Sequence, residues 1–236
     1  MKLTPYGLCA GVGAFIALSI IGKVSMKLIM ILILSSVLQS ILCKTCSSTY
    51  TLAAYLATTP LLLLLFLDNC SEIKKILIAL LIAMAIGRIG CYFAGCCTGK
   101  ECHKHFPLAI NYKKGSVIVD KYKKHDIFVY PSIYLEILSQ FLIAYIVYKN
   151  DYGIVFAGIL NMILLLFTFK WREVKRMGSF EDYIPVISLG IFSVIAYYKC
   201  GKTKTSKITF NPKLSFAIFS IFVSFILSND INYNII

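Results

Sequence analysis

The sequence predicts an all-α polytopic membrane protein, a bundle of seven to eight transmembrane helices with a small extramembrane head between the fourth and fifth spans. Three observations lead to this fold class. Of the 236 residues, 58% are hydrophobic and only 15% are charged, and the mean hydropathy is +0.79. The apolar residues form uninterrupted blocks of about fifteen or more, which are too long for strands. The lysines cluster at the ends of these blocks, where insertion into a bilayer places them.

This composition excludes a soluble globular domain, a disordered chain and a disulfide-rich miniprotein. The formal net charge of +13 would suggest nucleic acid as the partner of a soluble chain. Lysines at block ends and in loops indicate anionic phospholipid instead. We therefore expect an integral, multi-pass protein of a plasma or inner membrane that binds no nucleic acid.

Eight apolar blocks are the candidate spans. Several have no more than the roughly 17 residues that a spanning helix needs, so the count is seven to eight, and the last block is the weakest. The first block lacks a convincing small-residue cleavage site, which favours a span over a signal peptide. A polar tail is expected from Asn229 to Asn234. The blocks are Tyr6 to Ile21, Val24 to Leu42, Tyr50 to Leu67, Ile76 to Phe93, Ser132 to Tyr148, Gly153 to Phe169, Ile184 to Tyr198 and Leu214 to Leu227.

A polar, lysine-rich segment separates the fourth block from the fifth. We predict that residues 98–130 form an extramembrane head inserted in a single membrane domain, residues 1–236. Two stretches within it, Ser116 to Asp120 and Asp126 to Tyr130, alternate polar and apolar residues. This alternation predicts two short strands.

Arginine is rare in this lysine-rich chain and occurs only as Arg88, Arg172 and Arg176. A guanidinium is irreplaceable where a phosphate or carboxylate is gripped by two parallel donors. Arg88 follows Lys75 by roughly 20 Å along one helix, so it lies near the far headgroup level. Two spans separate Arg88 from Arg176, so both share one face with the head and with Glu136, which predicts a pocket for an anionic headgroup.

The chain around Arg88 carries a glycine-rich motif, Gly87-Arg-Ile-Gly-Cys-Tyr-Phe-Ala-Gly-Cys-Cys-Thr-Gly-Lys100. Glycine at this density ends a helix and exposes backbone N–H groups that can bind phosphate. The motif resembles the signature of the prolipoprotein diacylglyceryl transferase family, in the cysteine-rich version of its divergent members. The matching residues are Gly87, Arg88, Gly90, Gly95 and Gly99, with Lys100 where the family prefers Arg.

Weaker matches follow in the family's order and extend the resemblance over roughly residues 5 to 195. They are Tyr6-Gly7 in the first span, Pro131, Ser132 and Glu136 at the start of the fifth, Glu173 and Arg176 after the sixth, and Gly190 in the seventh. The chain also departs from the family. Tyr130 replaces a His, Phe169 replaces an Arg, Cys91 and Cys96 replace an Asn and a Glu, and residues 47–53 lack the His-Gly-Gly loop.

The resemblance implies transfer of the diacylglyceryl group of phosphatidylglycerol to a cysteine thiol of a lipoprotein precursor, without a cofactor. The implied catalytic residues are Arg88, Arg172, Arg176 and Glu136. The implied substrate-binding residues are Tyr6, Gly7, Gly90, Cys91, Gly95, Gly99, Lys100, Ser132 and Glu173. His103 and His105 are near enough in sequence to act as bases, and no base is assigned.

Nine cysteines are present, and three interpretations of them stay open. Cys43 with Cys46, and Cys96 and Cys97 with Cys102, are spaced to form disulfides or to bind zinc, although neither spacing is a two-pair zinc pattern, and no metal site is predicted. Buried cysteine is also a common packing residue. The second candidate function is a non-catalytic or thiol-redox protein that binds anionic lipid on the same fold. A transporter is third, because the spans carry almost no charge at mid-membrane depth.

Overall fold

The structure is a computed structural model that describes residues 3–42, 58–96, 98–169, 171, 184–204 and 207–233. It is mostly helical, as predicted, with one small sheet in the described part. The elements are α1 (Pro5–Ile21), α2 (Met26–Leu42), α3 (the helical residues 58–66), α4 (Cys70–Ala94), β1 (Ile110–Lys113), α5 (Val117–Tyr122), β2 (Asp126–Val129), α6 (Ser132–Lys149), α7 (Gly153–Phe169), α8 (Ile184–Cys200) and α9 (Leu214–Tyr233).

Among the described residues, two helices, Cys70–Ala94 and Ser132–Lys149, are long and apolar enough to cross a bilayer, and five further apolar helices are shorter. The predicted number of seven to eight spans stays a prediction. Helices α4 and α6 pack against each other, α1 packs on α4, α7 on α6, and α8 on α7. The main apolar core lies between these helices and includes Leu63, Ile73, Ala144, Ile154 and Phe192. Helices α4, α6, α7 and α8 therefore lie side by side in chain order, and α9 returns to pack against α1.

The head is built on an antiparallel pair of strands that places Ile110 opposite Val129. Alternate residues of β2 point inward, so Ile127 and Val129 are buried whereas Asp126 is exposed, as the period of a strand requires. The inner face of this sheet packs against Cys91 of α4 and Ile133 of α6. The head is thereby attached to α4 and α6 at the end of the bundle where Arg88 lies.

The predicted strand at Ser116 to Asp120 is wrong. These residues begin the short helix α5, which starts after Gly115 at φ +94° and ends at Lys123 in the left-handed conformation. The consecutive residues Ile118 and Val119 are both buried beneath the sheet, and a helix buries two neighbours more readily than a strand does. Packing against β1 and β2 overrides the β preference of Val and Ile.

Helix α9 extends past the predicted block and into the expected polar tail, as far as Tyr233. A row of serines four residues apart, Ser220, Ser224 and Ser228, packs α9 onto α1. Thr4 extends this contact, since its N–H and hydroxyl lie 3.0 and 3.1 Å from the Ser228 hydroxyl. Small residues let two helix backbones approach closely, as they do between helices in membranes.

We expect Gly11→Ala to separate α1 from α9. A Cβ at Gly11 would collide with the Ser224 hydroxyl and would lie 2.6 Å from the Ser220 carbonyl oxygen. This collision should lower the free energy of unfolding by about 1–3 kcal/mol, which is measured as a lower melting temperature in detergent. Gly87→Ala is the matched control, because a Cβ there meets nothing within 4 Å. Equal melting temperatures for the two variants would contradict this account of the α1–α9 contact.

A second group of interactions joins helix ends on the face opposite Arg88. The ammonium of Lys74, whose side chain is fully buried, donates to the carbonyl of Asn150 at 2.7 Å and to that of Thr203 at 2.8 Å. The Lys199 ammonium donates to the Leu67 carbonyl at 2.9 Å. Cations at helix C-termini satisfy carbonyls that have no partner within the helix. These lysines therefore hold the ends of α3 and α6 in the bundle.

Lys74→Met is expected to destabilise the protein by about 2–3 kcal/mol, because the half-buried Asn150 carbonyl and the buried Thr203 carbonyl lose a charged donor. The isosteric apolar chain removes the charge without opening a cavity. Lys149→Met is the control, since Lys149 is exposed at the end of α6. Thermal unfolding in detergent measures both variants, and a Lys74→Met protein as stable as the control would show that the two carbonyls do not depend on this ammonium.

A disulfide joins Cys70 at the start of α4 to Cys200 at the end of α8. It lies on the face opposite Arg88, since 18 residues of helix separate Cys70 from Arg88 and correspond to about 27 Å. Neither cysteine belongs to the sets for which the spacing suggested a disulfide. Cys43, Cys46 and Cys97 of those sets lie outside the described residues.

Candidate functional site

The candidate site is centred on an ion pair between α4 and α6. The C-terminal end of α4 and the N-terminal end of α6 meet, which brings Arg88 next to Glu136, and the Arg88 Nε lies 2.8 Å from Glu136 Oε2. The two side chains are only 5% and 7% exposed. Two buried charges are stable in such a place only when they are paired and hydrogen-bonded. The structure thus brings together Arg88 and Glu136, two of the four residues of the predicted catalytic set.

The signature glycines hold the backbone around this pair. Gly90 faces α1, where a Cβ would lie 2.8 Å from the Cβ of Cys9 and 2.9 Å from the Cα of Tyr6. Only glycine allows α1 and α4 to approach this closely two residues after Arg88. Tyr6 therefore lies at the site, and Gly7, the next residue of α1, packs against Ser224 and Ser228 of α9.

Gly95 and Gly99 shape the turn that leads from α4 into the head. Gly95 caps α4 at φ +67°, and its N–H donates to the carbonyl of Tyr92. A Cβ at Gly99 would lie 3.0 Å from the Trp171 carbonyl oxygen, and that carbonyl accepts a 2.7 Å hydrogen bond from Lys100 N–H. The N–H groups of Gly95 and Lys100 thus bond to the chain itself, while the Lys100 side chain is exposed.

Three tyrosines form a cluster above the ion pair. The hydroxyls of Tyr92 and Tyr134 lie 3.3 Å apart and connect α4 to α6, and the Tyr112 ring from β1 lies 6.3 Å from that of Tyr92. The Tyr112 hydroxyl is buried without a hydrogen-bond partner among the described residues. Burial raises the pKa of Tyr112 well above its usual range, so the phenol stays protonated and is a hydrogen-bond donor. Sequence reasoning missed this cluster, although Tyr134 belongs to the Pro131–Glu136 motif.

The remaining predicted residues occupy different surroundings. Cys91 is buried between the head and α4. Ser132 is the first residue of α6 and fully buried, and its hydroxyl has no hydrogen-bond partner in the described part of the chain. Arg172, Glu173 and Arg176 lie outside the described residues. Trp171, which precedes Arg172 in the sequence, contacts Gly99 and Lys100, which belong to the signature.

The histidines and cysteines of the head show no metal-binding arrangement within the described ranges, where no three His, Cys, Asp or Glu residues converge. His103 and His105 are exposed, with ring centroids 5.2 Å apart. Burial, and then the neighbouring Glu101 carboxylate, raise the pKa of the Cys102 thiol. This thiol is therefore a weaker nucleophile than an ordinary cysteine at neutral pH.

Comparison with known proteins identifies the family. A family model described as prolipoprotein diacylglyceryl transferase matches residues 50–226. No curated protein and no solved structure matches the chain. The match extends past residue 195, where the sequence motifs end, and includes most of α9. Because it covers well over half of the chain and includes the Arg88–Glu136 pair, the chain belongs to the prolipoprotein diacylglyceryl transferase family, whose members are helical membrane proteins.

Proposed function

We propose that the protein transfers the diacylglyceryl group of phosphatidylglycerol to the cysteine thiol of a lipoprotein precursor. The observation that carries this proposal is the buried Arg88–Glu136 pair, which lies beneath the signature turn of a chain in this family. A lone buried pair is weak evidence for stability. A guanidinium held at fixed geometry by a carboxylate is what recognition of a phosphate requires.

The chemistry needs a cation where negative charge develops. The thiolate sulfur attacks the glycerol carbon that bears the phosphate, so a carbon–sulfur bond forms and the carbon–oxygen bond to phosphate breaks. The electron pair of that bond stays on the phosphate oxygen, and glycerol phosphate leaves. Arg88 stabilises this departing charge, and Glu136 orients Arg88. Arg172 and Arg176 are the proposed further cations, and the residue that takes the thiol proton is not assigned.

The tyrosine cluster supports a polar substrate above the ion pair. Tyr112 and Ser132 both present buried hydroxyls that have no hydrogen-bond partner among the described residues. Such groups are costly unless something polar satisfies them. We propose that these two hydroxyls bind the glycerol phosphate part of the donor lipid. Ordered water would occupy the same positions until the lipid displaces it.

A second candidate function is binding of anionic lipid without transfer. Two sequence features favour it, since Phe169 stands where the family has an arginine and residues 47–53 contain no His-Gly-Gly loop. Such a protein would keep the Arg88–Glu136 pair as a headgroup site. It would not form a thioether on any thiol.

Transfer to a lipobox peptide separates the two functions. Purified protein in vesicles of phosphatidylglycerol is incubated with a peptide that contains the acceptor cysteine, and mass spectrometry detects the added diacylglyceryl group. Vesicles of phosphatidylcholine are the control for the donor, and a Cys→Ser peptide is the control for the acceptor. Complementation of a cell depleted of its own transferase provides the second test. Lipid binding with no product in either test would favour the second function.

A further inference from the structure

A groove lined by lysines lies at the end of the bundle opposite Arg88. It occupies about 560 Å³ between the end of α1, the start of α4 and the segment that leads into α9. We call it the lysine groove. Its polar lining includes Lys23, Asn69, Ser71, Lys75, Asn211 and Lys213. None of these residues belongs to the transferase site.

The lysine groove carries an excess of positive charge. Glu72 is the one acidic residue among its lining residues. Within the described part of the chain, Lys23, Lys75 and Lys213 have no carboxylate oxygen within 4.0 Å. Three ammonium groups that line one concave surface without ion-pair partners attract an anion.

Each lysine has a different local role. The Lys75 ammonium donates to the carbonyl of Ile21, the last residue of α1, at 3.2 Å. Lys213 lies 5.5 Å from the ring centroid of Phe216 in α9, and Lys23 is exposed. Lys75 therefore helps to join α1 to α4, whereas Lys23 and Lys213 are the two cations available to a ligand.

The surroundings of the lysine groove favour a lipid headgroup over a free anion. Ile21 and Ile76 give it an apolar wall. Phe210 is 57% exposed and Leu214 is 78% exposed, and both adjoin lining residues in the sequence, so acyl chains would contact apolar side chains beside the charged surface. The start of α4 adds the positive end of a 25-residue helix. Its cap amides, Ser71 and Glu72 N–H, are already bonded to the Asn69 side chain, so the helix acts through its dipole.

We propose that the lysine groove binds the phosphate-bearing headgroup of an anionic phospholipid from the leaflet opposite to the one that Arg88 faces. This lipid is a bound partner and not a substrate. Its headgroup contacts Lys23 and Lys213, and its acyl chains run along Phe210 and Leu214. The proposal does not depend on transferase activity, because its residues are separate from Arg88 and Glu136.

The test compares two double variants of the full-length protein. Lys23→Ala/Lys213→Ala removes the two exposed cations and keeps Lys75, so the α1–α4 contact is preserved. Lys149→Ala/Lys202→Ala removes the same charge from the same face outside the groove. Native mass spectrometry of each protein, titrated with phosphatidylglycerol in detergent, measures the affinity for the first bound lipids. In the groove variant, one lipid site should bind phosphatidylglycerol roughly 25-fold more weakly than in the wild type. Each lysine near an anionic lipid contributes roughly fivefold to the affinity.

Two further titrations identify the ligand. Phosphatidylcholine should show no difference between wild type and the groove variant. Inorganic phosphate and glycerol phosphate should not raise the melting temperature of the wild type as phosphatidylglycerol does. Stabilisation by these soluble anions alone would overturn the proposal in favour of a free-anion site. An equal loss of lipid affinity in the two double variants would also overturn the proposal, because it would show that the lipid is attracted by the positive charge of this face and not by the lysine groove. The Arg88→Lys protein should keep the groove lipid, so failure here is distinguishable from failure of the transferase proposal.

Discussion

Arg88→Lys is expected to reduce diacylglyceryl transfer by about 100-fold, the cost of removing one fixed donor to a developing negative charge. Lysine keeps the positive charge but carries an ammonium in place of the planar guanidinium, so the ion pair with Glu136 survives in altered geometry. The two parallel donors needed to hold a phosphate are lost. Insertion and the amount of folded protein should be unchanged. The lipobox assay measures the rate, and Lys149→Arg on the opposite face is the conservative control.

Removal of the pair separates its structural role from its catalytic one. Arg88→Ala leaves the Glu136 carboxylate buried alone and should cost about 3 kcal/mol of stability in addition to activity. Arg88→Ala/Glu136→Ala removes both charges, so stability should return towards the wild type while transfer stays absent. Wild-type transfer by purified Arg88→Lys would exclude Arg88 from the site. Recovery of transfer in the double variant would reduce the pair to a packing role.

Arg172→Ala is expected to reduce transfer as severely as Arg88→Ala. The resemblance places Phe169 at the position of an arginine that the family needs, and α7 ends at this residue. On a helix, a residue three positions further on returns near the same face one turn higher, and its side chain tilts back towards the N-terminus. The chain still turns after α7, because Trp171 N–H donates to the Thr168 carbonyl at 3.0 Å. Arg172 is therefore the proposed substitute for the missing arginine.

A rescue experiment decides whether this substitution is functional. Phe169→Arg should not fully restore transfer to the Arg172→Ala protein, because we propose that this chain uses a cation three residues later. Lys170→Ala is the matched control and should have the smaller effect, because helical spacing rotates successive positions by about 100° and so favours position 172 over position 170 as the substitute for position 169. A silent Arg172→Ala together with activity gained by Phe169→Arg would identify the protein as a relic of the transferase.

Much of the helical fold follows from the sequence, because burial in lipid needs long apolar blocks and these are visible without any tertiary information. The predicted block Ser132 to Tyr148 agrees with α6 to within one residue. The pairing of Arg88 with Glu136 could also be predicted. Arg88 lies near the end of the fourth predicted block and Glu136 near the start of the fifth, with only the head between them, so an antiparallel contact between these two helices is enough to bring the residues together.

The sequence predicted the ends of elements less well, because their polar flanks carry little periodicity. Helix α4 begins six residues before the predicted block, at Cys70, where Asn69 caps it. The conformation of α5 depends on its packing against the two strands that flank it, and α9 packs against the glycines of α1 at the other end of the chain. Neither partner is visible in a local pattern of apolar residues.

The sequence by itself determined that the chain forms apolar helices, belongs to a lipid-modifying family and places Arg88, Glu136 and the head on one face. Only the tertiary structure decided that the signature glycines bring chain segments together, that Tyr92, Tyr112 and Tyr134 converge above the ion pair, and that Cys70 pairs with Cys200. The physical reason is the range of the interactions. Hydrophobicity and helix period act over a few neighbouring residues, whereas close packing, a disulfide and a buried ammonium join residues that the sequence separates by up to 224 positions.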